Sequence, residues 1–151
     1  MSARTRILGV DYGTVRIGLA VSDPDRKIAS PLKTYQRRGR EADAEFFREL
    51  IQEELIERIV VGLPVHLSGR EGQKAAETRE FGEWLGELTG LPIVFADERF
   101  TSVEAEAALW AADLTHKQRK QRRDRVAAQI LLQGYLEAEP SGKKGAGPLG
   151  D

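Results

Sequence analysis

The spacing of apolar residues changes along this chain, and the changes divide it into elements. Ile7 to Val10 is a short apolar run ending on Asp11, and a second run, Ile17 to Val21, follows a turn at Gly13 and Thr14, which predicts a β-hairpin. Ile28 to Tyr35 reads as a third strand, with Pro31 best tolerated on a sheet edge because it has no N–H to donate. From Glu41 the period becomes helical, with Phe46, Phe47, Leu50, Ile51 and Leu55 recurring at three-to-four spacing. Ile59 to Leu63 reads as a buried strand. After a polar loop, Pro64 to Gly72, a second helix carries Phe81, Trp84, Leu85 and Leu88 and stops at Gly90.

Leu91 to Ala96 is the fifth strand, and Thr101 with Glu104 forms a capping-box pattern that opens a third helix bearing Val103, Ala107, Ala108 and Leu109. A last helix runs to about Leu136. It is charged at its start and apolar nearly all round from Val126, which predicts burial of that part against a sheet. The order is mixed α/β. Right-handed crossovers would make the first strand and the two later ones parallel neighbours, so Asp11 and the pair Asp97-Glu98 would share the carboxyl edge, where open α/β sheets gather ligands. One domain over residues 1–137 and a flexible, Gly-, Pro- and Lys-containing tail over 138–151 complete the expected organisation.

Composition narrows the chemistry. The 151 residues are 40% hydrophobic and 31% charged, as in a soluble globular domain, and no apolar run approaches the ~20 residues that span a bilayer. The basic start leads directly into a strand rather than a signal-peptide core, so a cytoplasmic location and no membrane partner are expected. With no cysteine, thiolate metal sites and cysteine nucleophiles are excluded, and carboxylates, hydroxyls and two histidines remain. The net charge of −1 conceals a basic run, Lys117, Arg119, Lys120, Arg122, Arg123 and Arg125, around the single acid Asp124. The balancing acids, among them Glu41, Asp43, Glu45 and Glu49, lie elsewhere, so separate positive and negative regions are expected.

Three acids stand where chemistry is easily placed. Asp11 ends an apolar strand at a sharp turn, although an aspartate there also serves simply to cap its own backbone. Asp97 and Glu98 leave another strand together, with a loop ion pair to Arg99 as the plainer alternative. Asp124 sits among cations where a helix turns apolar, and a local ion pair would explain it as well. Taken together, carboxylates from three elements facing one sheet edge are what Mg²⁺ or Mn²⁺ requires when phosphate oxygens and water complete the octahedron, with room for two ions. The flanking cations would hold a polyanion that the acids alone would repel.

Four ordered segments, GVDYGTVRIGLAVSD from Gly9, VVGLP from Val60, DERFTSVEAE from Asp97 and RRDRVAAQILLQGYLE from Arg122, resemble the successive motifs of the YqgF (RuvX) family, over nearly the whole chain. The resemblance implies a ribonuclease H-like α/β fold with a five-stranded mixed sheet, three antiparallel strands and then two parallel ones, flanked by helices. It also implies a nuclease that matures the 5′ end of small-subunit ribosomal RNA or resolves Holliday junctions. The family's acidic positions fall on Asp11, Glu98 and Asp124 as catalytic residues and ligands of two Mg²⁺ or Mn²⁺ ions, with Asp97 as the alternative to Glu98. Arg16, His66, Arg99, Lys117, Arg119, Lys120, Arg122 and Arg123 are the expected contacts to structured RNA or branched DNA. Relatives commonly carry Leu-Asn after the proline where this chain has Val65-His66, which sets that loop's contacts apart.

Monomer and homodimer both fit the sequence, and the position of Trp110 suits core burial first, then a dimer contact, then base stacking. Two other functional classes compete with the nuclease. One is a non-catalytic RNA-binding module of the same fold. The other is an actin- or Hsp70-like ATP-binding domain, suggested by Asp11-Tyr12-Gly13-Thr14, although such proteins close two domains around the nucleotide and this length supplies one.

Overall fold

The computed structural model describes residues 4–64, 71–97 and 115–138, apart from the side chains of His116 and Arg119. Five strands form one sheet: β1 (Arg6–Asp11), β2 (Arg16–Ser22), β3 (Ala29–Gln36), β4 (Ile56–Leu63) and β5 (Ile93–Asp97). They lie in the order β3-β2-β1-β4-β5. The first three pair antiparallel and β1, β4 and β5 pair parallel, as expected. Helices α1 (Arg40–Glu53) and α2 (Gln73–Thr89) connect into β4 and β5, and α3 (His116–Ala138) is the last described element.

Crossovers of one hand that step the same way along a sheet must lay their helices on the same face. That face carries the larger core, in which Leu8, Val10, Ile17, Leu19, Ile59 and Val61 of the strands meet Phe47 and Leu50 of α1 and Phe81 and Leu85 of α2. Trp84 packs at its edge, 6.4 Å from the Phe47 ring, as the apolar stripe predicts. The opposite face holds Ile7, Ala20, Ala29 and Val60 against Ala128, Leu132 and Leu136 of α3. The apolar second half of α3 is therefore buried against the sheet, as its pattern predicts. Gln129 and Gln133 fix it in register, since the Gln129 amide donates to the Ala29 carbonyl at 3.2 Å and Gln133 accepts from the Ala29 N–H at 2.8 Å.

Several expectations need correction. Leu55 is not on the helix: α1 closes with the Glu54 N–H donating to the Leu50 carbonyl, and Leu55, with φ 56° and 47% exposed, turns the chain into β4. Its carbonyl accepts from Arg6 at 2.9 Å, so a backbone bond compensates the exposed side chain. β4 begins at Ile56 because the parallel ladder reaches Arg6, three residues before the continuous apolar run starts. β5 begins at Ile93, since Pro92 has no N–H for the ladder and offers only its carbonyl, to Ile59 at 3.1 Å. Ile28 lies in the preceding turn, its N–H held by the Asp23 carboxylate at 2.8 Å. Pro31 sits where the β2–β3 register shifts, on an edge strand as expected. α2 ends on left-handed Gly90, φ 73°. Among the described residues no helix is long and apolar enough to cross a membrane. The helix expected from Thr101 and residues 139–151 of the expected tail lie outside the described residues.

Candidate functional site

The carboxyl ends of β1, β4 and β5, with the amino end of β2, make one edge of the sheet, and Asp11 is the last residue of β1 on it. Strand alternation sets its direction. Leu8 and Val10 belong to the core under α1 and α2, whereas Ile7 packs in the α3 core and Gly9 lies against Ala128 and Leu132 of α3. Asp11 shares the parity of Ile7 and Gly9 and so belongs to the α3 face. Its partner in the β1–β2 register is Gly18.

Gly18 is where α3 comes closest. A Cβ on Gly18 would lie 1.9 Å from the carbonyl oxygen of Asp124 and 2.4 Å from its carbonyl carbon, so only glycine lets the helix backbone descend there. Asp124 is thereby set over the residue paired with Asp11, and two acids 113 residues apart in sequence meet at one edge on one face. The Asp124 side chain is 15% exposed, and Arg16 donates from Nε to its Oδ2 at 2.7 Å. Arg16, an expected nucleic-acid contact, thus holds one oxygen of an expected ligand. The other oxygen is the one this pairing leaves for a further contact, an arrangement by which outer residues aim metal-binding carboxylates.

Asp97, exposed at the end of β5, has the parity of Ile93 and Phe95, which pack toward the α1–α2 core, whereas Val94 and Ala96 pack toward α3. Asp97 therefore belongs to the face opposite Asp11 and Asp124. Glu98, Arg99, His66 and Trp110 lie outside the described residues. Among the described residues no three of His, Asp and Glu converge closely enough to hold a metal ion. Asp11 and Asp124 supply two oxygen donors of the type Mg²⁺ and Mn²⁺ prefer, so the described residues fit such an ion as far as they go.

The expected basic surface is only partly a free one. Lys117, Lys120 and Arg123 are exposed and recur at three-residue spacing, which makes a stripe along α3 leading to Asp124. Arg122 is half-buried and engaged with other residues. For Arg119 the helix position alone is described.

Sequence reasoning misread one acid. Asp43, expected among the acids of a separate negative region, is 0% exposed and lies on the buried stripe of α1 with Phe47 and Leu50. Tyr35 Oη donates to it at 2.7 Å, Arg37 Nε at 3.1 Å and the Arg38 N–H at 3.0 Å. Burial pushes the carboxyl up, but the Tyr35, Arg38 and Arg37 bonds together outweigh it and hold Asp43 below the ordinary carboxylate range. Burial, and then the bond to Asp43, push the Tyr35 phenol up to about 12. The signal for this network was present in the i, i+4, i+7 spacing of Asp43, Phe47 and Leu50, which puts a charge on an apolar face.

A pH dependence follows from these two groups. The Asp43 carboxyl is depressed on folding, so its contribution is full above the unfolded value near 4 and is lost as pH falls below it. The Tyr35 phenol is raised, so its contribution is full below about 10 and is lost as pH rises toward about 12. Urea unfolding free energies measured between pH 8 and 12 should fall more steeply for the natural protein than for Tyr35→Phe. Parallel curves would contradict the assignment. At neutral pH the same substitution leaves buried Asp43 one donor short and should cost about 1–3 kcal/mol.

The chain is similar to known proteins over most of its length. A family model described as "RuvX: Holliday junction resolvase" matches residues 5–138. A protein of Rhodopirellula baltica named "Putative pre-16S rRNA nuclease" is 50% identical over 136 residues, 90% of this chain and 79% of that protein. A protein of the same name from Syntrophomonas wolfei is 44% identical over 138 residues, 91% of this chain and 98% of that one. Among solved structures, T. thermophilus RuvC in complex with a Holliday junction substrate superposes with a TM-score of 0.55 at 15% identity, covering 89% of this chain and 94% of that one. The fowlpox virus resolvase with Holliday junction DNA gives 0.54 at 11%, covering 89% and 98%. At such identities these two likenesses establish the fold, a ribonuclease H-like sheet of the resolvase type. With its motifs, its fold and its relatives in agreement, the chain belongs to the RuvX (YqgF) family of Holliday junction resolvases.

Proposed function

We propose that this chain is a cytoplasmic, metal-dependent endonuclease that hydrolyses phosphodiester bonds in structured nucleic acid, with the 5′ end of small-subunit precursor ribosomal RNA as its first substrate. The observation that carries the reading is the meeting of Asp11 and Asp124 at one sheet edge, on the face crossed by α3. The substrate follows from the names carried by the relatives at 50% and 44% identity. The family description makes a four-way DNA junction the second substrate to test.

Asp11, Glu98 and Asp124 would hold two Mg²⁺ or Mn²⁺ ions, and Asp97, on the other face of β5, is left outside the ligand set. When bound, such ions supply an activated water and charge stabilisation at the leaving oxygen. The chain's own residues do the rest. Arg16 fixes the orientation of Asp124, and the stripe of Lys117, Lys120 and Arg123 draws the phosphate backbone to the edge. Residues 1–137 form the working domain on this reading, with residues 138–151 as a dispensable tail.

The test is a cleavage assay on 5′-extended precursor RNA, a four-way DNA junction and linear controls. Cleavage is expected in Mg²⁺ or Mn²⁺ and not in EDTA or Ca²⁺, whose looser coordination places water poorly. Undiminished cutting in EDTA, or no cutting of any substrate in either active metal, would overturn the reading; binding without cutting would favour an RNA-binding module.

A further inference from the structure

The turn between β1 and β2 spans only residues 12–15 and begins directly after Asp11. It is folded tightly: a Cβ on Gly13 would lie 2.3 Å from the Arg16 carbonyl oxygen. Arg37, the first residue after β3, grips this turn at both ends. Its main-chain N–H donates to the Val15 carbonyl at 3.0 Å, and its guanidinium donates from Nη1 to Tyr12 Oη at 3.2 Å. The guanidinium also lies 5.5 Å from the Tyr12 ring centre and 5.6 Å from that of Phe81, and the Tyr12 and Phe81 rings are 4.6 Å apart. Tyr12 immediately follows Asp11 and is packed on the α1–α2 side of the sheet.

We propose that Arg37 is a positioning residue for Asp11, acting through Tyr12 and anchored by buried Asp43. Asp11 ends β1 between two hydrogen-bonded arrangements, one on each face of the sheet. Arg16 and Asp124 stand on the α3 face, and the chain Asp43–Arg37–Tyr12 on the other. Arg37 reaches Asp43 with Nε and Tyr12 with Nη1, and a planar fork can serve both at once where a lysine ammonium cannot. Neither Arg37 nor Tyr12 lies on the face of Asp11 and Asp124, so their influence on the site is one of placement. Displacements of about 1 Å in such an arrangement cost up to about a hundredfold in rate.

This inference rests on the nuclease reading for one readout and on metal binding alone for the other. Arg37→Lys, Tyr12→Phe and their double variant would be compared with the natural protein in single-turnover cleavage, substrate affinity and Mn²⁺ affinity from the rise in melting temperature. Each single variant should lose about tenfold in cleavage rate and bind Mn²⁺ several-fold more weakly, with substrate affinity changed less than about twofold. The double variant should be no worse than Arg37→Lys, because both act through one bond. Losses that multiply, or a lower melting temperature with cleavage and Mn²⁺ affinity intact, would overturn the proposal. Weakened substrate affinity in Arg37→Lys, with Tyr12→Phe unaffected, would overturn it in favour of direct phosphate contact. If the natural protein cuts nothing, the nuclease reading fails, and the Mn²⁺ affinities still decide the role of Arg37.

Discussion

Asp11→Asn should lose cleavage by orders of magnitude while leaving the metal-free protein as stable as before or more so, by roughly 0–2 kcal/mol, as where function is held at the expense of stability. Carboxylates gathered at one edge repel one another, and the amide is nearly the same size as the carboxylate it replaces. The rise in melting temperature on adding Mn²⁺ should shrink too, because that rise measures binding to the folded state alone. A loss of several kcal/mol with the metal response intact would instead mark Asp11 as a structural hydrogen-bonding residue. The two acids at the end of β5 supply an internal comparison. Asp97 shares its face with Phe95 and Ile93, so Asp97→Asn should keep the metal response and Glu98→Gln should lose it. The reverse outcome would put Asp97 into the ligand set.

Gly18→Ala should be among the most damaging changes available to this chain. The added Cβ meets main-chain atoms of Asp124 at 1.9 and 2.4 Å and the Arg125 nitrogen at 3.1 Å, and none of these can rotate away. The helix must lift, and with it Ala128, Leu132 and Leu136 leave the core they share with Ile7, Ala20 and Val60. At the upper end of overpacking costs, about 3 kcal/mol, the melting temperature should drop by roughly 10 °C. Cleavage should fall further than stability explains, since Asp124 moves away from Asp11. Gly134→Ala in the same helix is the control. A Cβ there meets nothing within 4 Å, so removing a helical glycine should stabilise the fold by about 0.5–1 kcal/mol. Equal melting temperatures for the two variants would show that α3 does not depend on this close approach.

Periodicity made much of the fold legible. The hairpin, the strands that follow, the stripe of α2 and the buried half of α3 all follow from residue spacing, because burial on one side leaves a mark on every turn. The motif resemblance added the acids, and the structure brings together Asp11 and Asp124, the two that it describes. What escaped was set by contacts between distant segments. Nothing local marks Gly18 as the point where a helix 106 residues later comes down. Arg16 reads as a free cation until Asp124 is seen beside it. Asp43 reads as one more acid of a negative region because Tyr35 and Arg37, which make its burial tolerable, come from the preceding strand and turn. Leu55 kept the helical spacing yet fell in the turn, since a pattern cannot show where a backbone hydrogen bond ends a helix.

On the proposed function, the Asp11–Asp124 edge holds catalytic divalent metal. Crystals grown with Mn²⁺ and measured near the manganese absorption edge test it most directly. Anomalous density is expected at carboxylate-ligand distance from both Asp11 and Asp124, about 2.0–2.2 Å, with Asp97 uninvolved and the density absent in Asp11→Asn. Density elsewhere on the molecule, or none at saturating Mn²⁺ while the protein still cleaves, would contradict it.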